Sequence, residues 1–128
     1  MDEKKVKKLN KLKNKYVTHE KLIIAKTARK TIRYIEKNTD NFPNKYNVLK
    51  TRIIDSCYNI LKYIYRANVF QTIEDKKEIV VEIQLLNFYL EEALNKNILT
   101  NKKFINYSNY LLELDKMVRE WFKYEKSK

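Results

Sequence analysis

Glycine is absent from all 128 residues, and proline occurs once, at Pro43. Phosphate-cradling loops need backbone that enters positive φ and closely approaches the ligand, which glycine supplies. Neither a P-loop nor a dinucleotide fingerprint can be written without it. Tight hairpins also lean on glycine, so an all-β fold is disfavoured. A single cysteine, Cys57, allows no intrachain disulfide and suggests a reducing compartment. No apolar run reaches the ~18 residues of a membrane-spanning helix. The N-terminus is basic but lacks the apolar stretch of a secretion signal. A soluble, cytoplasmic protein is therefore expected.

The charge is lopsided. Twenty-eight cationic side chains face 16 acidic ones, a formal net charge of +12. Such an excess points to a polyanionic partner, nucleic acid or an anionic membrane surface. Twenty-three of the cations are lysine, alongside abundant Asn, Ile and Tyr, so A/T-rich coding also contributes.

Apolar spacing divides the chain into a basic arm, residues 1–16, and a bundle, residues 17–126. Val6, Leu9, Leu12 and Tyr16 would give the arm a thin apolar edge among its lysines. Helix 1 is expected near Thr18, an N-cap with Val17 and Leu22 at staple positions. Its inner face is Ile24, Ala28, Thr31, Ile32 and Ile35, and it ends in the polar run Asn38–Asn41. Helix 2 is expected over about 44–68, with Leu49, Ile53, Cys57, Ile60, Leu61 and Ile64 inward and Pro43 in the linker or first turn. Helix 3 is expected over 73–95, capped by Thr72, with Glu74 and Asp75 at the positive end of its dipole. Ile79, Ile83, Leu86, Leu90 and Leu94 form its inner face. Helix 4 begins after Thr100, with Leu99 and Phe104 at staple spacing and Tyr107, Leu111, Leu114, Val118 and Trp121 in register. Short linkers make sequence neighbours antiparallel. The expectation is an all-α, up-down-up-down four-helix bundle.

The residues give little support to catalysis. His19 is the only histidine and falls in the first turn of helix 1, where a solvated side chain is the plain reading. Cys57 lies on an apolar face with nothing nearby in sequence to lower its pKa. The Glu-x-x-His pairs of ferritin-like metal sites are missing. Glu78 with Glu82, and Glu91 with Glu92, read as a solvated acidic face. No catalytic residue, metal or cofactor is expected.

Two surfaces stand out. At 100° per residue, Lys26, Arg29, Lys30, Arg33 and Lys37 share one arc of about 100° opposite the inner face of helix 1, with Glu36 near its edge. Along ~16 Å of axis they roughly match the phosphate spacing of one strand. Arg52, Lys62 and Arg66 extend the basic surface on helix 2, with Asp55 among them. The second surface is apolar. Val81, Leu85 and Phe88 lie at i, i+4, i+7 away from the core stripe of helix 3, and Ile105 and Leu112 repeat this on helix 4. A helix apolar on two sides must bury both, so a subunit or partner contact is expected there.

Three stretches, FPNKYNVLKTRIIDSCYNILKYI, LLNFYLEEAL and ILTNKKFINYSNYLLELDKMVREWF, resemble the four-helix-bundle family of accessory variability determinants (Avd) from diversity-generating retroelements. The proteins encoded in 23S rRNA intervening sequences are a sister branch. The resemblance implies a non-enzymatic protein that assembles as a ring of five bundles and engages nucleic acid, supporting a reverse transcriptase and its template RNA. Two family patterns change here. In the G-R-x-L-G-x-W pattern of the last helix, the glycine positions are Asp115 and Arg119, with Trp121 retained. In the L-R-F-x-x-R-L motif of helix 3, the arginine positions are Asn87 and Glu91. With helix 3 acidic, contact to RNA or an RNA–DNA hybrid is expected at helix 1 and the basic arm. A structural protein-interaction module that binds no nucleic acid is the alternative. A membrane-surface role through residues 1–16 is the least supported, because the arm's apolar edge is thin.

Overall fold

In a computed structural model, the chain is described at Lys4 and from His19 to Lys126, and four long helices account for most of that span. They are α1 (His19–Thr39), α2 (Asn47–Phe70), α3 (Ile73–Asn95) and α4 (Asn101–Lys126), with a 3-10 turn at Asn44–Tyr46. Among the described residues there is no strand. The expected cap at Thr18 and the arm over 1–16 fall, except for Lys4, outside the described residues. Each helix packs on the next, and α4 returns to α1.

The apolar stripes read from the sequence become one core. Ile24, Ala28, Ile32 and Ile35 of α1 meet Ile53, Cys57, Ile60 and Ile64 of α2. Ile79, Ile83, Leu86 and Leu90 of α3 and Tyr107, Leu111, Leu114, Val118 and Trp121 of α4 complete it. Thr31 is tolerated inside because its hydroxyl donates to the Thr27 carbonyl one turn back. Tyr107 is fully buried, edge-on to Tyr34. A buried cation joins it: Lys76, 1% exposed, continues the inner stripe of α3 with its ammonium 4.8 Å from the Trp121 ring centre.

Helix ends show how a chain without glycine turns. At the end of α3, Ile98 N–H donates to the Ala93 carbonyl and Asn97 N–H to that of Leu94, with Asn97 at φ 61°. This is a Schellman motif in which asparagine takes the place usually held by glycine. At the end of α2, Gln71 adopts φ 54° and its N–H donates to the Ala67 carbonyl. α4 begins after Thr100 as expected; the Thr100 hydroxyl accepts from the Lys103 N–H at 3.2 Å, Leu99 is buried and Phe104 half-buried. Thr72 departs from expectation. It holds the N-cap position of α3, but its hydroxyl donates to the Asp75 carboxylate instead of accepting from backbone. Helix 2 also departs from expectation: its first turn, after Pro43, is a 3-10 turn closed by Tyr46 N–H to the Pro43 carbonyl, so the α-helix starts at Asn47.

Left-handed backbone costs a residue with a Cβ about 1–2 kcal/mol. Glutamine lacks asparagine's tolerance for that region, so Gln71→Gly is expected to stabilise the fold by ~1 kcal/mol. That raises the calorimetric midpoint by about 4 °C. Gln71→Ala should give no gain, and an equal rise for alanine would show that the backbone is not the cause.

Candidate nucleic-acid interface

Charge is unevenly divided along the bundle. Residues 19–70, which span α1 and α2, carry eleven cations and four acids, whereas residues 73–126, which span α3 and α4, carry nine cations and ten acids. The excess positive charge of the described fold therefore lies on the α1–α2 half.

Within that half, Lys26, Lys30, Arg33 and Lys37 are exposed, and Arg29 is half-buried at the edge of the arc nearest α2. Among the described residues, none of the five is tied to a carboxylate. Arg29 has a neutral partner: its Nη1 donates to Tyr65 Oη at 2.8 Å. That bond leaves the guanidinium charge uncompensated and fixes its position. Glu36, at the same edge, accepts from Tyr58 Oη at 2.7 Å. The Glu36 carboxylate raises the Tyr58 phenol pKa above its ordinary value, chiefly through this bond, while nearby Arg33 pulls it down. Glu36 is thus engaged with a tyrosine across the groove.

The three α2 cations do not behave as one patch. Lys62 lies about 40° around the helix from Tyr58, displaced toward Arg66, with its ammonium 5.5 Å from the Tyr63 ring centre. Arg52 and Arg66 turn toward α3. Arg66 Nε donates to Asp75 at 3.0 Å, and its guanidinium lies 5.4 Å from the Phe70 ring centre. Asp75 is buried, and Thr72 and then Arg66 hold its carboxyl below the usual range against the upward pull of burial. Arg66 is therefore a clamp between α2 and α3. Glu82 also departs from the expected solvated face: buried Ser56 donates to its carboxylate at 2.8 Å, making it an acceptor between the same two helices.

The apolar surface is present. Val81, Leu85, Phe88, Ile105 and Leu112 are all exposed, Phe88 at 51% and Leu112 at 66%. Tyr58 and Tyr65 on α2 are exposed aromatics that the sequence reading did not single out. Their signal was available, since Tyr58, Lys62, Tyr65 and Val69 recur at i, i+4, i+7, i+11 opposite the inner stripe.

Cys57 is buried, and burial, helped by the Glu36 charge, pushes its thiol up to about 12. His19 opens α1, but its side chain is not among those described. Among the described residues no three His, Cys, Asp or Glu side chains are grouped to hold a metal ion. No described helix is long and apolar enough to cross a membrane. No family model, curated protein or solved structure matches the chain.

Proposed function

We propose that this protein is a non-catalytic, nucleic-acid-binding accessory subunit. The observation that carries the reading is the α1 arc of Lys26, Arg29, Lys30, Arg33 and Lys37, none of them tied to a carboxylate among the described residues. Cations already neutralised by acids would gain little from phosphate; these would release counterions on binding it. Contacts of this kind position a strand without reading its sequence. The lysines of residues 4–15 would add reach.

The proposed architecture is an antiparallel up-down-up-down bundle. Its support is the register of the polar pairs. Arg29 meets Tyr65, and two turns further along α1, Glu36 meets Tyr58 two turns back along α2. Asn59 meets Glu82, and two turns on, Arg66 meets Asp75 two turns back. On α4, Ser108 faces Asn87 and Trp121 faces Lys76, again in opposite order.

Val81, Leu85, Phe88, Ile105 and Leu112 are assigned to a homo-oligomer contact, with five copies the number implied by the Avd resemblance. On the same resemblance, the partners are a reverse transcriptase and its template RNA. The exposed α3–α4 apolar surface by itself favours the second reading, an interaction module that binds no nucleic acid. Titration of the full chain against a fluorescent RNA–DNA hybrid at graded salt decides between them. The expected log–log slope is steeper than about −4, with near 0.9 from each of the five α1 contacts and a further share from the other lysines. A slope near zero, or no binding of either the hybrid or a single strand at low salt, leaves only the interaction module.

A further inference from the structure

The groove between α1 and α2 is paved with aromatic rings. Tyr58 and Tyr65 project from one face of α2, are 48% and 41% exposed, and reach across to α1 with their hydroxyls. Tyr65 Oη accepts from Arg29 Nη1 and Tyr58 Oη donates to Glu36, so each ring is tethered at its tip as well as at its backbone. Tethering restricts the side chain before any ligand arrives and lowers the ordering cost of binding. Arg33 is close enough to Tyr58 to act on its phenol electrostatically. Seven residues of helix separate the two rings by about 10 Å along the axis. Three base steps at about 3.4 Å cover the same distance.

A duplex offers this groove only phosphates, because its bases are stacked on one another. An unpaired strand offers both phosphates and π-faces. Half-exposed rings beside a row of cations are the recurring device for holding single strands without reading sequence. We infer that the α1–α2 groove binds a single-stranded polynucleotide, with bases stacked on Tyr58 and Tyr65 and phosphates on Arg33 and the neighbouring α1 cations. This rests on the nucleic-acid reading above and adds to its phosphate contacts a stacking preference for unpaired strands.

The test compares full-chain binding to a 20-nucleotide oligo(U), an oligo(dT) of equal length and an RNA–DNA hybrid duplex, by fluorescence anisotropy at one salt concentration. Tyr58→Leu with Tyr65→Leu keeps apolar bulk against α1 and removes the flat faces. It should weaken both single strands by about 100-fold, roughly tenfold per lost stacking partner, and leave the duplex within about twofold. Tyr58→Phe with Tyr65→Phe keeps the faces, loses only the hydroxyl contacts, and should bind single strands within a few-fold of the parent. Circular dichroism of both variants at matched concentration verifies that they fold. If the Leu variant weakens single strands and duplex equally, or weakens neither, stacking is overturned while the phosphate reading stands. If the unaltered protein binds none of the three, both fall. A loss on oligo(U) but not oligo(dT) retains the groove and assigns it to RNA.

Discussion

Replacing Lys26, Arg29, Lys30, Arg33 and Lys37 together by Gln is expected to lower affinity for an RNA–DNA hybrid on the order of 10³-fold at about 100 mM salt. Each duplex phosphate neutralised contributes about 0.9 to the salt exponent. Five contacts removed should therefore flatten the log–log slope by about 4, leaving the shallow dependence of the remaining lysines. The substitution is unlike a core change. Four of the five side chains are exposed, and Gln keeps their length and helix propensity. Only Arg29 has a described partner, a neutral phenol. The melting temperature should move little, and mutual repulsion along α1 falls. A control set at Arg52 and Arg66 discriminates local from bulk charge. Arg66 is already committed to Asp75, so Arg52→Gln with Arg66→Gln should flatten the slope by no more than about 1. If the two sets flatten the slope equally per charge removed, total charge and not the α1 arc governs binding.

The helices were legible because the core follows the 3.6-residue period. Every inward residue expected on α1 is buried, and those expected on α2, α3 and α4 are buried or half-buried. α3 spans 73–95 as the pattern implied, since Glu74 and Asp75 mark its start and the polar stretch after Asn95 its end. Contacts between helices were not legible. Glu82 and Asp75 read as surface acids on their own helix, and only packing against α2 gives them Ser56 and Arg66 as partners. Tyr58 and Tyr65 face outward on α2 by periodicity, but their tie to Glu36 and Arg29 depends on how α1 lies against α2. Local spacing says which way a side chain points around its own axis and nothing of what a second helix brings to meet it. Lys76 shows the converse. It continues the inner stripe of α3 although it is charged, and the Trp121 ring 4.8 Å away is one of the contacts that hold its ammonium inside.

Raising the pH should unfold this bundle from within, and Cys57 and Tyr107 are the groups responsible. Burial pushes the Cys57 thiol, ordinarily near 9, and the Tyr107 phenol, ordinarily near 10, up to about 12 each. Tyr34 adds to the shift at Tyr107, whose hydroxyl has no hydrogen-bond partner among the described residues. Both groups are neutral below these values, and the folded core holds them neutral longer than the unfolded chain does. The unfolded state therefore binds fewer protons over this window, and stability falls as pH rises. The Cys57 contribution is complete below about pH 9 and is lost between about 9 and 12, on the order of 4 kcal/mol in all. Tyr107 follows between about 10 and 12, on the order of 3 kcal/mol. Urea midpoints at pH 8 and pH 11 isolate the effect, because lysine deprotonation is common to parent and variant. Cys57→Ala should start about 1 kcal/mol less stable at pH 8 from the small void it leaves. By pH 11 it should be the more stable of the two, with the crossing near pH 10. Tyr107→Phe should match or exceed the parent at both pH values, since it deletes an unpaired buried hydroxyl and keeps the ring that packs edge-on against Tyr34. An alkaline decline that is identical in the parent and in both variants would place the sensitivity in surface charge, and the thiol and phenol would then be exchanging with solvent without unfolding.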